Sequence, residues 1–259
     1  MQLLPVNEIK FDRIKLEKIK SVMESTFRLI TFSRSHLADD LLNAYINQTT
    51  SFRELLSIKN AQMEAQNEDE AMEYAKLLRK TSDFISHEVK NSVDFTSEIQ
   101  LFQLFRLISP DSHSLHPNRY RHQIVQIGKY LCPLPEMVPG LVSELFYQMS
   151  EIKNPIIKAI YFHHEMIRIH PFSDGNGRTI RMAKNWMLMY QLYPSIFISD
   201  TDEKKQYINT LEKSFEWLQN KECKWNQNLD DFFDQELERL LRNSDIIYQI
   251  VLKAGNKRE

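Results

Sequence analysis

The chain reads as mainly α: a helical bundle with one small β-hairpin. Three observations predict this class. Apolar residues recur at helical spacing along most of the 259 residues. Breakers are scarce, with only five glycines in the whole chain. A single stretch, following Arg121, has the character of a strand pair.

The elements follow in order. Leu16, Ile19, Met23, Phe27 and Ile30 mark a first helix, with Lys and Glu between them. The acidic run from Glu64 to Glu73 is a solvated helix start, leading into the stripe Ala71, Tyr74, Ala75, Leu78 and Ile85. Ile99 to Ile108 is nearly solid apolar until Ser109-Pro110 ends it. His113 to Arg121 is the most loop-like interior segment. Asn154-Pro155 opens a further helix, a capping side chain followed by a proline at the first helical position. Its apolar face from Ile156 to Ile169 is wide enough for the middle of a bundle, and His170 falls at its C-terminal end. A helix beginning near Asn176 buries Ile180, Ala183, Trp186, Met187 and Tyr190, with Pro194 beyond it. Leu229, Phe233, Leu237, Leu240 and Leu241 mark a C-terminal helix. These stripes are core, not cofactor boxes. No repeat or low-complexity linker interrupts them.

Composition narrows the function classes. The chain is 42% hydrophobic and 26% charged, with a formal net charge of −2 and a pI near 6.5. That balance carries no basic footprint for nucleic acid. No run approaches the roughly 18 consecutive apolar residues of a membrane span, and Met1 to Lys10 lacks the pattern of a signal peptide, so the expected setting is the cytoplasm. Cys132 and Cys223 fit no disulfide framework and no zinc motif, and read as reduced thiols. His163-His164-Glu165 resembles the start of a zinc pattern, but the position of its second histidine holds Arg168. A G-x-x-x-x-G-K-[S/T] phosphate loop is absent.

The most informative segment is His170-Pro171-Phe172-Ser173-Asp174-Gly175-Asn176-Gly177-Arg178-Thr179-Ile180-Arg181. Two of the five glycines fall here, around a single Asn, where backbone must turn sharply or approach a ligand. The segment is a loop between two helices, with its glycines at a helix N-terminus. Free N–H groups and the positive end of the helix dipole meet there, as an anion requires. Arg178 and Arg181 are three apart and share a face, so both can grip one polyphosphate. Asp174 would repel that phosphate without an intervening cation, so it reads as a Mg²⁺ ligand. His170 is the natural general base for a hydroxyl attacking phosphorus.

This segment resembles the motif of the Fic family, H-x-F-x-[D/E]-G-N-G-R-x-x-R, and meets every fixed position. The resemblance runs from about Tyr120 to about Glu212. It implies a Fic-type bundle whose core occupies 96–220, with a flap at about 120–135 and the motif at 170–181. Residues 1–95 would be a helical region packing on that core, and 221–259 C-terminal helices. It further implies AMP transfer from ATP to a Ser, Thr or Tyr hydroxyl of a target protein. His170 would deprotonate the acceptor and Phe172 would anchor the loop. Asp174 would hold Mg²⁺, Gly175-Asn176-Gly177 would form the anion hole, and Arg178 and Arg181 would take the outer phosphates. Ser173 and Tyr207 complete the expected ATP-binding set, Tyr207 and Leu211-Glu212 resembling the helix that borders the adenine. The flap residues Gln126, Ile127, Gly128, Lys129 and Tyr130 would clamp the target.

Two departures accompany the resemblance. Ile208 and Phe215 stand where the family often has an aromatic and an Asn. The inhibitory pattern [S/T]-x-x-x-E-[G/N] is also missing: Thr50/Glu54 and Ser199/Glu203 keep only its spacing, and 42–47, set in its usual place, has Ile46 for the Glu. The isolated protein is therefore expected to be at least partly active, unless a separate antitoxin protein silences it. Transfer of phosphate or phosphocholine, and a non-catalytic nucleotide-binding module, are the alternatives. Gly177 and Arg181 favour AMP over phosphate transfer.

Overall fold

The computed structural model describes residues 1–32, 65–117, 119–198, 200–220 and 223–256, together with Asp39, Leu41, Leu42, Tyr45 and Ala61. Its helices are α1 (Arg13–Thr31), α2 (Glu68–Lys90), α3 (Glu98–Ile108), α4 (Pro110–Leu115), α5 (Val138–Ser150), α6 (Pro155–Ile169), α7 (Asn176–Tyr190), α8 (Thr201–Asn220) and α9 (Gln227–Asn256). Between α4 and α5 lie β1 (Gln126–Ile127) and β2 (Tyr130–Leu131), paired antiparallel as Gln126↔Leu131 and Ile127↔Tyr130.

Local chemistry accounts for most helix starts. Asp12 accepts from the Ile14 and Lys15 N–H groups at the head of α1, and Asn67 accepts from Glu70 at the head of α2. Ser97 and Gln100 form a reciprocal capping box on α3. Asn154 caps α6 through Ile156 and Ile157, with Pro155 at the first position as its sequence predicts. Ser109-Pro110 ends α3 as expected but also begins α4, because a proline at N1 lacks only an N–H that a helix start leaves unpaired. Helix α5, which periodicity did not reveal, follows the hairpin.

Helix α6 is the axis of the molecule, and of Ile156–Ile169 only Lys158 is not buried. It packs against α5 and α7; α7 in turn contacts α2 and α3, while α1 lies along α9 and α9 along α8. One core cluster draws on residues from Leu3 and Ile19 to Leu240. The N-terminal strand of chain is tied to α6 by buried polar contacts. Leu4 N–H donates to Glu165 (3.0 Å), Tyr161 hydroxyl to the Leu4 carbonyl (2.7 Å) and Arg168 to the Gln2 carbonyl (2.8 Å). Arg168 pairs with Glu165, and His164 bridges Glu165 and Ser214 at 2.8 Å each. The histidine pair of α6 thus serves a buried polar network. No described helix is long and apolar enough to cross a membrane.

Candidate active site

The motif connects the C-terminus of α6 to the N-terminus of α7, and both ends use left-handed backbone. His170 caps α6 with φ 53°, ψ 63°, its N–H on the Met166 carbonyl (3.0 Å). Gly175 caps the start of α7 with φ 67°, a conformation that favours glycine. A Cβ at Gly175 would also lie 3.1 Å from Ser109 Cβ, so the turn is pressed against the α3–α4 junction.

Two side chains hold the loop between these ends. Phe172 is fully buried, stacked on Phe105 with centroids 4.0 Å apart and planes 3° from parallel. Asn176 accepts from the Phe172 N–H and donates to the Phe172 carbonyl, both at 2.8 Å. Both side chains hold the loop, and the Asn176 main-chain N–H lies at the start of α7.

No side chain caps α7. Thr179 is the residue whose N–H closes onto the Gly175 carbonyl (2.9 Å), so the N–H groups of 176 and 177 lie in the first turn, where a helix start presents donors without intrahelical partners. They open on a cavity of about 360 Å³ lined by Tyr74, His170, Ser173, Asp174, Gly175, Asn176, Gly177, Arg178 and Lys204. The cavity unites the expected base, carboxylate, glycine turn and first arginine.

Charges around it are already organised. Asp174 Oδ2 accepts from Ser109 Oγ (2.7 Å) and pairs with Arg178 Nη2 (3.3 Å). Both contacts fall on one oxygen of a carboxylate that is 54% exposed, leaving Oδ1 for a cation. The Arg178 guanidinium lies 3.6 Å from the Tyr74 ring centroid. Burial pushes His170 down to about 4, against the pull of the Ile167 carbonyl and Asp174, so the ring is neutral near pH 7. Burial and then Arg181 lower Lys204. Tyr207 is 5% exposed, does not line the cavity, and places its hydroxyl 3.0 Å from His163 Nε2.

The hairpin is bound to the motif through buried Arg121. Its Nε donates to the His170 carbonyl (2.7 Å), its N–H to the Pro171 carbonyl (2.8 Å) and its Nη2 to the Pro133 carbonyl (2.6 Å). Gly128 turns the hairpin with φ 55°, and a Cβ there would stand 2.8 Å from the Glu212 carboxylate. Tyr130, expected to face a target, is buried against Phe215 with its hydroxyl on Met1 Sδ. The Leu131 N–H, pointing away from β1, is taken by Gln219 of α8 (3.0 Å). The outer edge of β2 is therefore occupied.

Sequence reasoning missed Tyr74 and Lys204, which line the cavity from α2 and α8, and Ser109, which holds Asp174 from the α3–α4 junction. None carries a local signal; only the fold brings them in. Of the inhibitory candidates, Glu203 is held by Arg239 (2.9 Å) and Arg242 (3.2 Å). Thr50/Glu54, Ser199 and most of 42–47 lie outside the described residues.

Residues 94–188 match the Fic/DOC family. The chain is 30% identical over 128 residues to a protein adenylyltransferase Fic of Culex quinquefasciatus, covering 48% of this chain and 26% of that protein. It is 29% identical over 147 residues to one of Nematostella vectensis, covering 54% and 32%. The chain thus spans about a quarter to a third of the length of these curated relatives. In three dimensions it superimposes on a Fic-domain-containing signaling protein of Bacteroides thetaiotaomicron with a TM-score of 0.70 at 19% identity, covering 93% of this chain and 99% of the other.

Proposed function

We propose that the chain is a Fic-family protein that transfers AMP from ATP to a Ser, Thr or Tyr hydroxyl of a target protein. The observation that carries this reading is the neutral His170 held in one cavity with the uncapped start of α7. A base and an anion cradle on opposite sides of one loop are what hydroxyl attack on a phosphate requires. The target hydroxyl gives its proton to His170 as its oxygen bonds to the α-phosphorus. The bond from that phosphorus to the β-phosphate oxygen breaks, and pyrophosphate leaves. Because Nδ1 of His170 is buried, Nε2 is the nitrogen that takes the proton.

The backbone N–H groups of 176 and 177 receive phosphate oxygens, and Arg178 exchanges part of its contact with Asp174 for phosphate. Ser173 and Lys204 border the same space. A single exposed carboxylate with one uncommitted oxygen suits Mg²⁺, which takes most of its ligands from phosphate and water. Asp174 would hold that ion, and its charge would neutralise the polyphosphate. The target docks at the hairpin. With β2 covered by α8, the edge open to an added strand is β1, where Gln126 has the outward main-chain groups. The cytoplasm, where ATP is abundant, is the proposed setting.

Two labels test the reading. ATP carrying label at the α-phosphate should mark a target, or the protein itself, and ATP labelled at the γ-phosphate should not. His170→Ala should keep ATP binding and lose roughly 10²–10⁴-fold in transfer. Label from the γ-position on protein would replace adenylyl transfer with phosphoryl transfer.

A further inference from the structure

Arg178 meets two unlike partners. Its Nη2 pairs with Asp174 Oδ2 at 3.3 Å, and its guanidinium carbon lies 3.6 Å from the Tyr74 ring centroid. Tyr74 belongs to α2, which precedes the family-matched residues 94–188. The ring is fixed from two sides. With Ala75 and Met182 it packs against Leu78 and Ile108, where α2, α3 and α7 meet. Its hydroxyl donates to Glu70 Oε1 one turn back (2.5 Å), and Glu70 Oε2 accepts from the Gln66 N–H (2.6 Å).

The two partners hold the arginine differently. A carboxylate takes an N–H and supplies a charge, so it competes with phosphate on both counts. An aromatic face attracts the cation from outside its plane, accepts none of its N–H groups and carries no net charge. A guanidinium held by its face therefore keeps its donating edge directed at other partners. Arg178 is 5% exposed, so the contact is shielded from water. The difference matters most when nucleotide arrives: Asp174 is the group that would turn toward Mg²⁺, and the Tyr74 ring is the anchor that has no reason to move.

We propose that Tyr74 is a positioning residue that holds the Arg178 guanidinium by its face and presents its N–H edge to the outer phosphates of the nucleotide. This rests on the adenylyl-transfer reading. Tyr74 borders the same cavity as His170 and the start of α7, so a helix outside the family-matched residues sets the aim of an arginine within the motif.

Tyr74→Leu removes the aromatic face and keeps an apolar side chain on α2. ATP affinity measured by calorimetry should fall about fivefold to thirtyfold, the scale of a shielded cation–π contact. AMP affinity should be unchanged, because AMP lacks the outer phosphates. Tyr74→Phe keeps the face and loses only the Glu70 bond, so its ATP affinity should stay within about twofold of wild type. The double variant Tyr74→Leu/Arg178→Ala should bind ATP no more weakly than Arg178→Ala alone. Thermal denaturation checks that each variant is folded. Independently of nucleotide, the Tyr74 ring current should shift the Arg178 side-chain protons upfield in the NMR spectrum, and Tyr74→Leu should abolish that shift. Wild-type or tighter ATP binding by Tyr74→Leu, an equal loss in Tyr74→Phe, an equal loss of AMP affinity, losses that multiply in the double variant, or unshifted Arg178 protons would each overturn the proposal. Failure of the wild-type protein to bind ATP would strike the adenylyl-transfer reading instead, and the same variants compared on inorganic tripolyphosphate would still decide the role of Tyr74.

Discussion

Replacing Asn176 with Ala should destabilise the loop that carries the site. The side chain accepts from the Phe172 N–H and donates to the Phe172 carbonyl, each at 2.8 Å, in a buried setting. Alanine leaves both backbone groups unpaired, and an orphaned buried group costs roughly 1–3 kcal/mol. With some relaxation and water entry, the sum is about 2–4 kcal/mol. Asn176→Asp should be no rescue: it retains the acceptor, turns the donor into an oxygen facing a carbonyl, and buries a charge. Because His170 and Asp174 each lie two residues from Phe172, transfer should fall as well, and an ångström of misplacement can cost about 10²-fold. Urea unfolding gives the stability change, and hydrogen exchange at the Phe172 amide localises it. A variant within about 0.5 kcal/mol of wild type, with that amide still protected, would refute the loop-stapling role.

Three further outcomes are expected. The folded state holds His163 and His170 near 4 while their ordinary value is 6.5; the unfolded chain thus binds more protons between these values. Stability should be complete above about pH 6.5 and decline as pH falls toward 4, by roughly 3 kcal/mol per fully shifted ring. Urea midpoints measured across that window check it, and a flat profile would contradict the buried neutral rings. In the hairpin, Gln126→Pro removes the outward donor of the open β1 edge and should reduce transfer to a target far more than ATP affinity. Ile127→Pro instead removes a donor directed at Tyr130 and should damage the hairpin itself, a contrast that limited proteolysis of the two variants resolves. Excess chelator should abolish transfer, and Asp174→Asn should raise the Mg²⁺ concentration needed for half-maximal rate; full activity under chelation would remove Asp174 as a metal ligand.

The sequence by itself determined the helical class, several helix starts and the motif, because each depends on residues close together in the chain. Asn154-Pro155 states where α6 begins, since capping and a proline at N1 are decided within one turn. The glycines around Asn176 state where the chain must turn, and the arginine spacing follows from helical geometry. What only the tertiary structure decided is which distant groups complete the site and which expected members turn away from it. Tyr74 reaches Arg178 from α2, Ser109 holds Asp174 from the end of α3, and Lys204 arrives from α8. Tyr130 and Tyr207 turn inward, because an aromatic ring gains more by burial than by facing a wet cavity, provided its hydroxyl finds a partner. Tyr207 finds one in His163. The Ser109–Asp174 and Tyr207–His163 contacts join residues 65 and 44 positions apart, and no local pattern encodes them: they exist because the helices pack around one core.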